Sequence, residues 1–444
     1  MLFRSVSVLF GKGDGTFQTS ISYAAGAFYK NSVVSGDFNG DNKPDLAVVN
    51  ESSATVSVLL GKGNGTFEPA ANYSAGTNPV FVTAGDFNID GNLDLTVANY
   101  GTTNVSILFG SGDGTFQSAV SYGAGLNPVF VVVGDFNADG KPDLAVANSG
   151  RSYNISPPGV TPGYEYVDGS VSVLMGKGDG TFQSPVNYVT ERYPSSVVVG
   201  DFNADGKPDL AVANERSVMV SILLGKGDGT FQTAINYEAG LFPSHVTIGD
   251  FNGDGKPDLA VVNYNWNKVS ILLGKGDGTF QSPIGSAAGP FPVSLTVADF
   301  NGDGKLDLTV TDYSSATVSL LLGNGDATFQ TAVRYAVGLY PSTVIEGDFN
   351  GDGKPDLSVA INGGIAVLLN TCASAGIHLG VARSNSALAL SWPLQSTGFA
   401  LESTASLSST NWQPAVEVPR TNSGRLEIIT PLNQPGRFFR LRKP

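Results

Sequence analysis

Short apolar segments recur along the first 370 residues, and turns rich in Gly, Asp and Asn separate them. An apolar segment such as 129–134 precedes each acidic turn, and a second one such as 144–147 follows it. Segments that alternate apolar and polar residues, such as 220–224 and 234–237, complete the unit. β-Branched segments bounded by Gly and Asp are typical of strands and hairpins, and no segment has helical periodicity. The pattern predicts four strands per unit, which we name A, B, C and D in chain order.

The acidic turn between strands A and B occurs seven times with small variations. Successive copies start 49 residues apart, except that 66 residues separate the third from the fourth. Four strands in a tandem repeat of this length are typical of a propeller blade, so an all-β propeller is expected over residues 1–370. The copies start at Asp37, Asp86, Asp135, Asp201, Asp250, Asp299 and Asp348.

Each acidic turn has side-chain oxygens at positions 1, 3, 5 and 9, and position 7 offers a main-chain carbonyl. This set suits a hard cation with six or seven oxygen ligands at about 2.3–2.6 Å, and we predict calcium. Magnesium requires a tighter octahedron, and zinc requires His or Cys, which the turns lack. The alternative is a turn that binds nothing, in which three carboxylates would repel one another. The predicted ligand positions for about seven ions are Asp37, Asn39, Asp41, Lys43, Asp45, Asp86, Asn88, Asp90, Asn92, Asp94, Asp135, Asn137, Asp139, Lys141, Asp143, Asp201, Asn203, Asp205, Lys207, Asp209, Asp250, Asn252, Asp254, Lys256, Asp258, Asp299, Asn301, Asp303, Lys305, Asp307, Asp348, Asn350, Asp352, Lys354 and Asp356.

The turns differ from an EF-hand, whose loop ends in a bidentate Glu at position 12 between two helices. Position 12 here is an apolar strand residue, Val48 in the first copy and Val359 in the last. The charge of the chain agrees with bound cations. The net charge is -14, residues 1–370 carry -18, and seven divalent ions would neutralise the whole chain. No basic stripe is present to bind phosphates, so nucleic acid is excluded as a partner.

Other bulk features restrict the compartment only weakly. Cys372 is the single cysteine, so an internal disulfide is excluded. No apolar run of about 18 residues is present, and no membrane span is predicted. The first residues lack the apolar core of a signal peptide. Because millimolar calcium is an extracellular condition, we expect an extracellular or cell-surface protein whose start here is trimmed or incompletely predicted.

Two signatures carry a resemblance to a known family. Gly-Asp-Phe-Asn-Gly-Asp-Gly-Lys-Pro-Asp-Leu surrounds the acidic turn, and Leu-Gly-Lys-Gly-Asp-Gly-Thr-Phe joins strands C and D. Together they resemble the FG-GAP/VCBS repeats of bacterial surface proteins, which are similar to those of the integrin α-chain propeller. The resemblance covers residues 1–370 and implies a seven-bladed propeller with one calcium ion in each A–B loop.

Departures from these signatures are small. Asn42 replaces Gly at position 6 of the first turn, which is tolerated if the backbone there is left-handed. Asn92 replaces Lys at position 7 of the second turn, and Ala327 replaces Gly in the last C–D hairpin. The hairpin sequence is not a phosphate-binding P-loop, because no helix and no Lys-Ser/Thr pair follow it. A tight turn is predicted instead.

Ring closure requires a strand from the N-terminal end. Strands A, B and D occur seven times, whereas segments like strand C occur eight times, first at 6–10 and last at 365–369. We expect a D strand within 16–23 to complete the last blade beside 365–369, which leaves 2–10 surplus. The surplus segment is a remnant or displaces part of the last blade, or it pairs with a neighbouring molecule, since an unpaired edge invites strand addition.

Strand parity assigns the loops to two faces. The A–B and C–D loops share one face, and the D–A and B–C loops share the opposite one, which we call the near face. Here the repeats vary and offer aromatic rings, and a 17-residue insertion between Asn148 and Val171 adds more. Variable loops on a rigid scaffold are typical of binding sites, here for glycan or protein, although the rings could instead fill gaps between blades. The predicted ligand-binding residues are Tyr29, Tyr100, Tyr164, Tyr166, Tyr193, Arg216, Phe242, Tyr264, Trp266, Tyr313 and Tyr340.

The sequence assigns no catalytic residue. It has two histidines, His245 in a D–A loop and His378 beyond the propeller, and calcium-bound carboxylates are poor acids or bases. The favoured hypothesis is an extracellular calcium-binding module for adhesion to glycan or protein. One alternative is a structural subunit of a surface assembly or filament joined through spare strands. Another is a polysaccharide lyase or hydrolase that uses near-face Tyr residues, Arg216 and His245.

The tail, 371–444, differs from the repeats. Six short strands are predicted between turns of Ser, Asn, Pro and Gly. Leu390-Ser-Trp-Pro, Trp412 and the final Phe-Phe-Arg-Leu-Arg resemble an Ig/fibronectin-III-like domain, which implies a small β-sandwich with Trp392 and Trp412 in its core. The predicted strands are 378–382, 387–392, 399–402, 415–418, 426–429 and 438–441.

Overall fold

A computed structural model of the 444-residue chain shows a seven-bladed β-propeller, as predicted. The chain divides into two compact units, Met1–Thr371 and Cys372–Pro444. The described residues contain one 3-10 turn, Glu51–Ser53, and no helix with the length and apolar character of a membrane span. The structure describes residues 8–10, 17, 21–25, 32–150, 152–154, 164–166, 169–362, 364–370, 380–383, 387–393, 400–404, 413–414, 420–422, 425–431 and 438–442.

Six blades are antiparallel sheets of four strands in the order A-B-C-D. Strand B is buried along its whole length in each of them. The blades comprise Val33–Gly36, Asp45–Asn50, Thr55–Leu59 and Ala71–Ser74; Pro79–Gly85, Asp94–Asn99, Asn104–Leu108 and Val120–Gly123; Pro128–Gly134, Asp143–Asn148, Ser170–Leu174 and Val186–Val189; Pro194–Gly200, Asp209–Asn214, Met219–Leu223 and Ile235–Glu238; Pro243–Gly249, Asp258–Asn263, Lys268–Leu272 and Ile284–Ala287; and Pro292–Ala298, Asp307–Asp312, Thr317–Leu321 and Val333–Ala336.

The seventh blade joins the two ends of the propeller. Its A and B strands are Val344–Gly347 and Asp356–Ile361, and its C strand is Gly364–Leu369. Ile21–Ala24 is its D strand and pairs antiparallel with the C strand. The predicted ring closure is therefore confirmed.

The segment predicted to be surplus also lies in this sheet. Val8–Phe10 pairs in parallel with the C-strand residues Val367–Leu369. This agrees with the interpretation that it displaces part of the last blade, although residues 2–7 lie outside the described part of the chain. Pairing with a neighbouring molecule stays a prediction.

Aromatic rings pack at the contacts between adjacent blades, which we call seams. Phe202, at position 2 of the fourth acidic loop, lies edge-on to Phe280 in the C–D hairpin of the next blade, with ring centroids 5.6 Å apart. Tyr237 packs on the other side of Phe280 at 5.5 Å, and the Gly278 N–H donates to the Phe202 carbonyl at 2.9 Å. The same Phe–Phe contact occurs at the other seams, between Phe38 and Phe116, Phe67 and Phe349, Phe87 and Phe182, Phe136 and Phe231, Phe251 and Phe329, and Phe17 and Phe300.

The C-terminal unit is also all-β in its described residues. A four-stranded sheet has the order Gly380–Arg383, Ala387–Pro393, Arg425–Pro431 and Arg420–Asn422, and a three-stranded sheet has the order Gln413–Pro414, Ala400–Thr404 and Phe438–Arg442. The predicted strand at 415–418, with His378 and Trp412, lies outside the described residues. The β-sandwich and its Ig/fibronectin-III-like character stay predictions.

The closure predicts the effect of Phe17→Ala. Phe17 is only 6% exposed and contacts Phe300 and Tyr335, so removing its ring is expected to cost about 3–5 kcal/mol of unfolding free energy. Urea denaturation measures this loss. Phe182→Ala, which removes an 8% exposed ring from an interior seam, is the matched control. Phe17→Ala could cost less than about 1 kcal/mol while the control costs about 3–5 kcal/mol. That result would mean that the N-terminal segment does not close the ring.

Candidate functional site

Each acidic loop wraps its main chain around the carboxylate at position 1. In the last loop, Asp348 Oδ1 accepts hydrogen bonds from the N–H groups of Gly351 and Asp352, and Oδ2 accepts one from Gly353 at 2.7 Å. Positions 4 and 6 are left-handed in all seven loops, which turns these N–H groups toward the carboxylate. Asn42, at position 6 of the first loop, has a φ of 60°, so its expected left-handed backbone is confirmed.

The Asp at position 9 is a buried clamp between the loop and the C–D hairpin of its own blade. Asp209 is 0% exposed, and its Oδ2 and Oδ1 accept hydrogen bonds from the N–H groups of Phe202 and Gly225 at 2.9 and 2.6 Å. Burial raises its pKa, and the negative charges at positions 5 and 1 of the same loop raise it further. The same causes raise the pKa of Asp94, Asp143 and Asp307 to about 6.

Positions 5 and 7 are paired at the surface. Asp205 Oδ1 accepts a hydrogen bond from the Lys207 N–H at 3.0 Å, and Lys207 Nζ lies 3.2 Å from Oδ2. In the second loop, which has Asn at position 7, Asp90 Oδ2 accepts a hydrogen bond from Asn88 Nδ2 at 2.9 Å instead. A lysine therefore offsets part of the negative charge in loops that carry this pair. Equivalent Lys–Asp pairs join Lys43 to Asp41, Lys141 to Asp139 and Lys256 to Asp254.

The donor atoms of the acidic loops suit calcium, but the side chains of these loops, all of which the structure describes, are not arranged around a common ion position. Among the residues that the structure describes, no group of three or more His, Cys, Asp or Glu side chains is arranged to hold a metal ion. The donors are nevertheless all oxygens, as calcium requires, and Asp201, Asp205 and Asp209 lie close enough for their charges to interact. The predicted calcium sites stay predictions.

The C–D hairpins lie on the same face as the acidic loops. A Cβ added to Gly227 in the hairpin of the fourth blade would lie 2.8 Å from Lys207 Cδ in its acidic loop. On the opposite side, the D–A and B–C loops contact each other, since the Tyr264 N–H donates to the Phe242 carbonyl at 3.0 Å. The two faces predicted from strand parity are therefore distinct in the structure.

The near face has a cavity of about 670 Å³. A-strand residues line its wall, including Phe81 and Phe130, whose rings stack at 3.8 Å. The first residue after strand B of each of six blades also lines the cavity, and this position differs widely among the repeats. Those six residues are Glu51, Tyr100, Ser149, Glu215, Tyr264 and Tyr313.

His245 lines this cavity as a packing residue. Its ring lies 5.6 Å from that of Phe130, and its Nδ1 accepts a hydrogen bond from the Leu295 N–H at 3.4 Å. Burial lowers the pKa of His245 to about 4, so the imidazole is neutral at physiological pH.

The D–A loops hold aromatic residues in a strained conformation. Tyr193, Phe242, Phe291 and Tyr340 each precede a proline and have φ between 53° and 56°. Non-glycine residues seldom adopt this left-handed region, and for L-residues it costs roughly 1–2 kcal/mol, with Asn among the exceptions. The equivalent residues of two other repeats are indeed asparagines, Asn78 and Asn127, with φ of 47° and 58°.

Burial does not compensate for this strain. Phe242, Phe291 and Tyr340 remain 36%, 42% and 48% exposed, so a substantial part of each residue stays in contact with solvent. Sequence reasoning identified the rings but missed their backbone conformation. The signal was present, because Asn occupies the same pre-proline position in two repeats.

Most predicted near-face residues meet in pairs. The ring of Tyr264 lies 5.3 Å from that of Phe291, and Tyr313 lies 5.1 Å from Tyr340. Tyr100 is 42% exposed and lines the cavity.

Two further pairs join a cation to a ring. Arg216 Cζ lies 4.9 Å from the Tyr193 ring centroid, and Lys268 Nζ lies 4.4 Å from that of Trp266. Tyr29 lies outside the described residues. So do the side chains of Tyr164 and Tyr166, although strand Tyr164–Tyr166 pairs with Ser152–Asn154.

Comparison with protein families finds repeated matches along the propeller. A profile described as FG-GAP-like repeat matches residues 37–97, 86–146, 163–212, 201–261, 250–310 and 299–359. A second profile, described as FG-GAP repeat, matches residues 127–174. A comparison with curated protein sequences finds no match.

Several solved structures share the fold at low sequence identity. A lectin from Agrocybe aegerita that recognises non-reducing terminal N-acetylglucosamine is 18% identical, with a TM-score of 0.50 over 75% of this chain and 90% of the lectin. A functionally unknown protein from Desulfotomaculum acetoxidans is 11% identical, with a TM-score of 0.50 over 72% of this chain and 98% of that one. A putative 6-phosphogluconolactonase from Bacteroides fragilis is 15% identical, with a TM-score of 0.50 over 77% and 97%.

The strained backbone of the D–A loops predicts the effect of Phe291→Asn. Asn adopts the left-handed region more readily, so the variant is expected to unfold with a free energy equal to that of the parent or up to about 1 kcal/mol higher. Urea denaturation measures the difference. The reverse change, Asn78→Phe, is expected to destabilise the propeller. A loss of more than about 2 kcal/mol in Phe291→Asn would identify the ring as a packing residue.

Proposed function

The chain belongs to the family of FG-GAP-like repeat proteins, and on this premise we propose that its propeller is a calcium-stabilised module that binds a glycan or protein ligand on the near face. The observation that carries the proposal is the retention of exposed aromatic rings on strained backbone. Phe242, Phe291 and Tyr340 destabilise their own loops without becoming buried. Strain of this kind concentrates at functional sites, where the side chain has a use that outweighs its cost.

The cavity supports the same assignment. Its lining includes the first residue after strand B of each of six blades, and these residues vary in charge, size and hydrogen-bonding capacity while the blades beneath them are nearly identical. Binding residues are commonly carried on such variable loops above a rigid scaffold. The likeness to the fungal lectin concerns the fold alone, and it makes the propeller compatible with a sugar ligand.

Calcium would be held by the side-chain oxygens at positions 1, 3, 5 and 9 and by the carbonyl at position 7 of each acidic loop. When bound, the ion supplies positive charge to a loop that carries three carboxylates. Hydrogen bonds then connect the ordered loop to the next blade. In the fourth blade, Asp209 holds the Phe202 N–H, and the Phe202 carbonyl accepts the Gly278 N–H of the next blade at 2.9 Å.

The proposed setting is the extracellular space or the cell surface, where millimolar calcium keeps weak sites occupied. A propeller with one variable face suits an adhesion role there.

Calcium removal provides the first test. Calcium binds the folded propeller and is expected to stabilise it by about 2.7 kcal/mol for each site at a hundredfold excess over Kd. The Tm should therefore fall when calcium is replaced by EGTA at constant ionic strength, and magnesium should restore little of it. Elemental analysis of the purified protein counts the bound ions.

Matched variants locate this effect in the acidic loops. Asp303→Asn changes position 5 of the sixth loop and should reduce the gain in Tm from calcium. Asp326→Asn lies in the C–D hairpin on the same face, where Oδ1 accepts hydrogen bonds from the N–H and Oγ1 of Thr328, and should leave the gain unchanged. A protein whose Tm does not respond to calcium would contradict the proposal.

Ligand binding provides the second test. The triple variant Phe242→Asn, Phe291→Asn and Tyr340→Asn should stay folded but lose at least tenfold in affinity, about 1.4 kcal/mol, for any glycan that the parent binds on an array. Ile89→Asn is the matched control, because Ile89 is 55% exposed with a φ of 56° in an acidic loop on the opposite face. Equal losses in both variants would argue against a near-face site.

A further inference from the structure

Two cation–ring pairs, each with one exposed member, lie on neighbouring blades of the near face. Arg216 lies over the Tyr193 ring, and Lys268 lies over the Trp266 ring. Arg216 and Trp266 are exposed, and Trp266 retains 42% of its surface. A guanidinium or ammonium held against a ring keeps its remaining N–H donors in a fixed direction, which suits recognition of a carboxylate.

These cations differ from the four lysines that pair with an Asp in the acidic loops. Among the described residues, no carboxylate oxygen lies within 4.0 Å of the side-chain nitrogens of Arg216 or Lys268. Lys43 and Lys207, by contrast, are each paired with an Asp of their own acidic loop. The two near-face cations therefore keep their capacity to bind an anion, in a chain whose net charge is -14.

A groove of about 490 Å³ lies beside the first pair, and Arg216 belongs to its lining. Arg192 and Arg216 line it together with Leu241 and Phe242, which are 46% and 36% exposed. Trp266 packs on the same D–A loop, since a Cβ added to Gly240 would lie 2.9 Å from its ring. The cations and the apolar surface thus form one continuous strip.

Cations outnumber carboxylates in the lining of the groove, which contains Arg192, Arg216 and Glu191. Glu191 keeps its negative charge while its Oε1 accepts a hydrogen bond from Asn236 Nδ2 at 2.8 Å. Glu51 and Glu215 line the central cavity, which Arg216 also borders. An anionic ligand is therefore expected along the strip, away from these two carboxylates.

From these features we infer that the near face binds an acidic glycan, with sugar rings against Phe242 and Trp266 and sugar carboxylates on Arg216 and Lys268. The inference rests on the proposed binding function and specifies its ligand. The groove volume lies within the range of about 300–1,000 Å³ that is typical of small-molecule sites. Aromatic faces beside cations match a sugar acid, which has an apolar ring face and a carboxylate on the same unit.

The test compares each carboxylated glycan with its carboxyl-reduced form, in which the rings are the same and the charge is lost. An array of uronate- and sialate-bearing glycans and their reduced counterparts is probed with the full chain in calcium. We expect at least tenfold tighter binding to the carboxylated member of a pair, weakened by added salt. Arg216→Gln and Lys268→Gln should each reduce this preference about tenfold, and Lys268→Arg should retain it.

Lys226→Gln is the matched control, because it removes an exposed lysine from the C–D hairpin on the opposite face, outside the predicted calcium ligands, and it should change nothing. The parent could bind both members of a pair equally, and Phe242→Asn could abolish this binding. That result would overturn the acidic specificity and leave the proposed glycan-binding function intact. Absence of binding to every carboxylated glycan also overturns the inference. If a protein ligand were then found that requires Phe242 and Phe291, the near-face function would stand without it.

Discussion

A buried carboxylate in each blade holds the propeller together, and most other features depend on it. Asp209 shows the arrangement, with one oxygen on the N–H of Phe202 and the other on the N–H of Gly225. Burying a carboxylate is costly unless its oxygens are hydrogen-bonded, so the loop and the hairpin must both adopt the geometry that supplies these donors. The carbonyl of Phe202 then accepts the N–H of Gly278 in the next blade. The constraint thus passes from blade to blade around the ring.

This arrangement explains why the repeats vary less on one face than on the other. On the acidic face, almost every loop residue takes part in the clamp, the left-handed turns or the aromatic seam, so the seven copies stay nearly identical. On the near face, the repeated features are main-chain bonds such as Tyr264 N–H to the Phe242 carbonyl and the left-handed residue before each proline. The exposed side chains there differ among the repeats, and their identity is therefore open to selection for a ligand.

Much of the fold was predictable because each part is specified locally and repeated. The blades, the pairing of Ile21–Ala24 with the last C strand and the left-handed Asn42 all follow from spacing and from Gly or Asn at turn positions. Features that depend on neighbouring blades were not predictable. The cation–ring pair of Lys268 and Trp266 and the connection of Arg216 to Phe242 through one groove require knowledge of which loops become adjacent.

The two proposals for this protein are linked by charge. Residues 1–370 carry a net charge of -18, which would repel an anionic ligand from every direction at low salt. The repulsion is screened beyond about 8 Å at physiological ionic strength, so contacts within the strip around Arg216 and Lys268 outweigh distant carboxylates. Divalent ions in the acidic loops would remove most of the remaining field at its source. An acidic ligand on one face and bound calcium on the other are therefore mutually consistent, and each makes the other electrostatically easier to accommodate.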